Sequence, residues 1–476
     1  MKSKFVSNYF YNLIYQVLAM IVPLITTPYV SRILGPQAIG DYGFTSGVVS
    51  YFGIVAATGT AGYAQREIAF KQKDKYEHSK IFFEIFAFRL ICTGLATIVY
   101  TVFTFCITRN YQELYIIQYM SVISWALDVS WFFQGMEDFK VVTIRNSVVK
   151  LLSTVLIFTL VKNRGDIGIY TAILSGSILC GNLTAWPQLR KYIEKVRISD
   201  LNIRRHISGI MMLFAAVVAV QLYTVLDQTM LGVLSSTTEV GYYVQAQKII
   251  KLALTIISTM ALILLPRIAA LYAEHDREGM NHYFHISIDY LFILALPMMV
   301  GILFCANKLV PVFFGREFMP VISLLRLLSI LFVVLGAGQL NGSLLTAINM
   351  QKWDTIAVST GAVVNFTLNS ILIRRYASLG AVIASVVAEC TVTSIEIIIL
   401  HRSFDVRYAL TSFIHYLKPT LVMAVILFVI SRINLSDFYS LLLELVSAVA
   451  SYFICLILMK DQLTLNALKK LPFVGE

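Results

Sequence analysis

The chain has 476 residues, of which 58% are hydrophobic and only 14% charged, with a net charge of +11 and a mean hydropathy of +0.76. Soluble domains carry about a quarter charged residues, so the composition excludes a soluble globular protein and identifies an integral membrane protein. Its basic excess finds a natural counterpart in anionic lipid headgroups rather than in nucleic acid.

A helix needs about 20 apolar residues to cross the hydrocarbon layer. Such runs recur from Phe10 to Met459, centred near residues 20, 53, 94, 123, 151, 178, 220, 254, 294, 334, 364, 389, 422 and 448. They predict an all-α polytopic membrane protein of fourteen spans. The long apolar runs, rather than alternating ones, exclude an outer-membrane barrel. The first span follows Lys2 and Lys4 but contains Asn12, Gln16, Pro23 and Pro28, lacks a small-residue cleavage site and leads straight into further spans. It therefore reads as an uncleaved helix rather than a secretory signal.

Cytoplasmic connectors of membrane proteins retain Lys and Arg. One alternating set of connectors holds 24 of these residues and the other holds 9, which places both termini in the cytoplasm. The six cysteines (92, 106, 180, 305, 390 and 455) lie in or beside spans without any CxxC pairing, and no histidine pair has metal-ligand spacing. There is no phosphate-binding loop of the G-x4-G-K-[ST] type. No metal or organic cofactor is expected.

At an offset of 201 residues "AIGDYGFTSG" (38–47) aligns with "EVGYYVQAQK" (239–248), and "AQREIAF" (64–70) with "LPRIAAL" (265–271). Gly40 meets Gly241, Tyr42 meets Tyr243 and Arg66 meets Arg267, each pair at the same place relative to its span. Because the copies share an orientation, they form a parallel repeat of six helices. The expected domains are a first lobe over 1–205 (helices 1–6), a second over 206–405 (helices 7–12), and two extra helices with a short tail over 406–476. Two like-oriented lobes around a central cavity form a transporter architecture, although a duplicated channel or scaffold has the same repeat.

Polar residues recur at helical spacing in several spans: Asn12 and Gln16 in the first, Gln221 in the seventh, Gln245, Lys248 and Lys251 in the eighth, and Asn365 in the eleventh. Several such faces together predict a hydrated lumen more readily than a dry bundle. Arg89, Lys150, Lys248, Lys251 and Arg326 all lie within spans, where each cation costs about 2.5–3.5 kcal/mol at mid-helix and therefore marks a candidate functional site. By depth, Arg89 matches Asp128 and Lys248 matches Asp227, so these couples read as ion pairs or as lumen charges with coupling carboxylates. Lys150 and Lys251, near mid-span, are the strongest candidates to meet an anionic cargo. Phosphate is the most economical one, because it accepts charge-assisted hydrogen bonds from both Lys and Arg. Pro23 and Pro28 in the first span, and Gly336 and Gly338 in the tenth, are candidate hinges.

Four segments, "NLIYQVLAMIVPLITTPYVSRILGPQAIGDYGF" (12–44), "GYAQREIA" (62–69), "WFFQGMEDFK" (131–140) and "DQTMLGVLSSTTEVGYYVQAQKI" (227–249), resemble the polysaccharide-repeat flippases of the Wzx type. Their superfamily also holds multidrug and toxin extruders and peptidoglycan-precursor flippases. The resemblance covers the first twelve helices. It implies translocation of undecaprenyl-pyrophosphate-linked oligosaccharide to the outer leaflet of the bacterial inner membrane, by alternating access coupled to H+ or Na+. A polysaccharide polymerase and chain-length proteins are further candidate partners. It places Arg32, Arg66, Asp227 and Lys248 on family positions without saying which of them meets pyrophosphate. Two alternatives stand beside it. A multidrug antiporter of the same fold would favour an acidic lumen, and a membrane polymerase would carry a larger extracytoplasmic loop than the short one near 307–319.

Overall fold

A computed structural model describes residues 2–57, 59–433 and 435–469, with side chains at 2–14, 213, 215–217, 219, 220, 222–224, 258–263 and 467–469 outside the description. The helices are α1 (Lys2–Ala57), α2 (Thr60–Phe70), α3 (Lys75–Val102), α4 (Gln112–Leu127), α5 (Ser130–Gly135), α6 (Phe139–Leu160), α7 (Ile167–Leu189) and α8 (Arg204–Leu234). They continue as α9 (Thr237–Ala273), α10 (Arg277–Phe313), α11 (Val321–Leu328), α12 (Leu331–Ala347), α13 (Gln351–Leu400), α14 (Tyr408–Ile430), α15 (Asp437–Leu458) and α16 (Gln462–Lys469). No strand occurs among the described residues. In hydrocarbon every backbone N–H and C=O must be satisfied internally, and a helix does this within one segment.

All fourteen sequence-predicted centres fall inside helices. Nine helices among the described residues are long and apolar enough to cross a membrane, or ten if α11 and α12, bent by 43°, form one span. The shortfall from fourteen has physical sources. α1 and α13 each join two predicted spans across a break, at Gly35 (φ 75, ψ 174) and at Ala377 (φ 49, ψ −128), and α8 and α9 are described only in part. The first break is local chemistry: glycine enters positive φ without a Cβ penalty, and Pro36 disfavours a helical residue before it.

Contacts divide the chain into two compact units, Met1–Gly241 and Tyr242–Glu476. In the first, α1 packs on α3, α4, α6 and α8, while α4 packs on α7. One end is filled with aromatic side chains: Phe82 stacks on Trp131 at 5.5 Å, and Phe86 meets Trp186 edge-on at 5.0 Å. Such pairs contribute about 0.5–1.5 kcal/mol each beyond their buried area. Asp74 caps α3 by accepting from Glu77 N at 3.1 Å.

In the second unit α10 packs on α12, α14 and α15, around a core that includes Phe284, Phe292, Leu296, Leu344, Tyr416 and Tyr452. Tyr452 donates to the Ile293 carbonyl at 2.9 Å. The two extra helices α14 and α15 therefore contribute core residues to this unit. Large side chains such as Ile98, Val155, Ile398 and Leu458 are more than half exposed. Lipid is as apolar as they are, so this surface carries no penalty in a bilayer.

Candidate functional site

The first unit gathers three cations. α3 carries Arg89 at 2% exposure, with Nη2 3.3 Å from Asp128 Oδ2. Asp128 follows the last turn of α4 in an extended conformation, and its Oδ1 accepts from the Ser130 backbone N–H at 3.0 Å and from the Ser130 hydroxyl. Ser130 Oγ in turn accepts from Arg145 Nη2 at 2.9 Å. Two guanidinium groups thus share one carboxylate, which leaves an excess of one positive charge. Arg89 Nε and Nη1 and Arg145 Nη1 are buried donors with no hydrogen-bond partner. Further along α6, Lys150 Nζ donates to the Ala19 carbonyl of α1 at 3.3 Å. Donors of this type recognise a phosphate or carboxylate through charge-assisted bonds.

Arg145 counts among the connector charges when the sequence is read alone. The structure places it inside α6, five positions before Lys150.

The other predicted residues are distributed as follows. Gln16 and Gln221 are exposed, Asp227 is buried, and the side chain of Asn12 lies outside the description. Along α9 the polar stripe runs from buried Gln245 through half-buried Lys248 to exposed Lys251. Asp227 belongs to the first unit and Lys248 to the second. Arg326 sits on the short α11, where its Nε donates to the Leu303 carbonyl of α10 at 3.2 Å. Asn365 is fully buried and accepts from Asn369 Nδ2 at 2.9 Å. Pro23 and Pro28 lie within α1, Gly336 faces Leu291, and Gly338 faces Thr393.

The connector between α7 and α8 is fastened to the first unit by groups that sequence reading does not single out. His78 Nε2 lies 2.9 Å from the Tyr192 carbonyl, Glu194 N donates to Ser79 Oγ at 3.0 Å, and Tyr76 donates to Asp200 at 2.6 Å. That hydroxyl, with Ser199, holds the Asp200 carboxyl below the usual carboxylate range. Burial, reinforced by a hydrogen bond to Asp138, pushes the Tyr192 hydroxyl up to about 12. At the end of this connector Glu84, Arg205, His206 and Tyr63 form one buried network. Among the described residues no group of three or more His, Cys, Asp or Glu side chains could hold a metal ion.

Residues 5–272 match the family described as "Polysaccharide biosynthesis protein". A candidate O-antigen transporter of Escherichia coli (strain K12) is 23% identical over 402 residues, covering 83% of this chain and 96% of its own length. Among solved structures, a lipid II flippase, MurJ, in an inward closed conformation aligns with a TM-score of 0.72 at 16% identity, over 96% of this chain and all of its own. An inward-facing multidrug resistance transporter of the MATE family aligns with a TM-score of 0.64 at 18% identity, over 80% of this chain and 92% of its own. At these identities the structural likenesses establish the fold.

Proposed function

We propose, from the premise that this chain belongs to the polysaccharide biosynthesis protein family, that it is a flippase for lipid-linked glycans and not an enzyme. Its cargo is an undecaprenyl-pyrophosphate-linked oligosaccharide repeat unit, which it carries from the cytoplasmic to the outer leaflet of the bacterial inner membrane. Both termini face the cytoplasm, where the Lys- and Arg-rich connectors lie. The observation that carries this reading is the cation group of the first unit. Arg89 and Arg145 present buried N–H donors without partners on either side of a single carboxylate, with Lys150 further along α6. A sugar chain can cross beside polar side chains and water, but the charged pyrophosphate pays the largest desolvation penalty in hydrocarbon. Fixed cations along its route lower that barrier. In this reading Lys248 and Lys251 of α9 are further cations available to the pyrophosphate. Two lobes then alternate in exposing it to each leaflet, with H+ or Na+ moving in compensation.

A cationic-drug antiporter of the same fold would be poorly served by these residues, since five cations lie in the predicted spans. The test is complementation of a strain that lacks its own repeat-unit flippase, using Lys150→Ala, Lys248→Ala, Lys251→Ala and Arg145→Gln, with membrane levels of each variant checked by blotting. A charge-assisted hydrogen bond contributes about 1.5–3 kcal/mol, so each loss is expected to reduce surface polysaccharide about tenfold or more at equal expression. Normal polysaccharide in all four variants would overturn the assignment of the phosphate route.

A further inference from the structure

α13 doubles back at Ala377, so Asp354, near the start of its first arm, and Glu396, near the end of its second, come to the same end of the second unit. Glu396 is 1% exposed and faces the same turn of α12 as Asp354, the turn that carries Asn341. Asn341 is itself 4% exposed, and both its Nδ2 and Glu396 Oε2 lack a hydrogen-bond partner. α12 makes room for the two acids. A β-carbon at Gly338 would stand 3.8 Å from Glu396 Oε2, and one at Gly342 would stand 3.1 Å from Asp354 Oδ1. The glycines are one turn apart, so this face of the helix offers backbone and the Asn341 amide instead of bulk.

The charged groups acting on Glu396 are Asp354 and Glu389, both acidic. α10 and α11, which pack on α12 and α13, place no charged group against the pair among the described residues. Two neighbouring carboxylates, one buried and the other half-buried, repel each other, and burial adds to the cost of ionising both, which favours a proton on one of them. A metal cation needs a larger set of oxygens than two acids and one amide supply, whereas a single proton satisfies them.

We infer that Glu396 and Asp354, with Asn341, form a binding site for one proton inside the α12–α13 packing. For its purpose the site rests on the transport reading above, since a proton taken up and released there is a candidate counter-ion for cargo movement. Its existence does not depend on that reading.

The test uses the full chain in lipid nanodiscs, followed by infrared difference spectroscopy of the protonated-carboxyl stretch during a pH titration. The expected result is a carboxyl band that titrates in the wild type, is missing in Glu396→Gln and is indifferent to replacing potassium with sodium. Asp354→Asn keeps Glu396 but removes its like-charged neighbour, so the midpoint should fall by about one pH unit or more. That second variant decides the matter if Glu396→Gln does not fold. Identical spectra in wild type and Glu396→Gln, an unmoved midpoint in Asp354→Asn, or a band that answers to sodium rather than pH would each overturn the proposal. A titrating band in a protein that fails to restore polysaccharide would support the site and count only against the transport reading.

Discussion

Glu84→Gln is expected to lower the stability of the detergent-purified protein by about 3 kcal/mol, seen as a fall of several degrees in its unfolding temperature. Glu84 is wholly buried, yet both of its oxygens are engaged. Oε2 accepts from Arg205 Nε at 2.8 Å and from Arg205 Nη2, and lies 2.7 Å from His206 Nε2. Oε1 accepts from the Asn202 backbone N–H at 2.6 Å. His206 Nδ1 is in turn 2.9 Å from the Tyr63 hydroxyl. An amide in place of the carboxylate keeps one acceptor and turns an NH2 group toward the donors of Arg205 and His206. Arg205 is about one-third exposed and water answers part of its loss, which keeps the expected effect at the lower end for a broken buried ion pair. His206→Gln removes one hydrogen bond to the Glu84 carboxylate and one to Tyr63 but leaves the Arg205 pair in place, and is expected to cost about 1.5 kcal/mol, the low end for a hydrogen bond to a charged group. Equal unfolding temperatures for wild type and Glu84→Gln would show that the network contributes nothing. Because it joins α2 and α3 to the start of α8, the same substitution is expected to loosen the connector before α8.

Much of this molecule is legible in its sequence because the bilayer makes helix depth readable. One residue per about 1.5 Å places Arg89 and Asp128 at similar depths, and the structure joins them at 3.3 Å. The same arithmetic applied to two acids would have brought Asp354 and Glu396 together at one end of the α13 arms. Neither is a cation near mid-span, so neither carries the signal that marks the lumen lysines. Arg145 was obscured by the polar run before it, "GMEDFK", which reads as a connector reaching further than it does, since α6 already begins at Phe139. Other features leave no local trace. Ala377 turns α13 back without a glycine or proline at the bend, and Glu84 finds Arg205 across 121 positions of chain, a pairing that only the tertiary fold creates.

Gly40→Ala and Gly241→Ala are each expected to damage the protein severely, although alanine is the better helix former by about 1 kcal/mol. A β-carbon on Gly40 would overlap the Thr237 carbonyl oxygen, and one on Gly241 would overlap the Pro36 carbonyl oxygen. Pro36 and Thr237 stand 201 positions apart, as do Gly40 and Gly241, so each copy of the repeat presents the same backbone patch to the other. The obstructing atoms belong to main chains, which have no rotamer to swing aside. The second half of α1 and the first turns of α9 must therefore part to admit even a methyl. Overpacking of this kind typically costs about 1–3 kcal/mol, and a clash with backbone belongs at the upper end. Gly94→Ala is the control: its β-carbon would meet nothing within 4 Å, so it should be neutral or slightly stabilising. The double variant Gly40→Ala with Gly241→Ala should fall well short of the sum of the two, because the first substitution already opens the crossing that the second needs. Unfolding temperature and restored surface polysaccharide, measured together at matched expression, provide the readout. If Gly40→Ala behaves like Gly94→Ala, the repeated glycine is not kept for this contact.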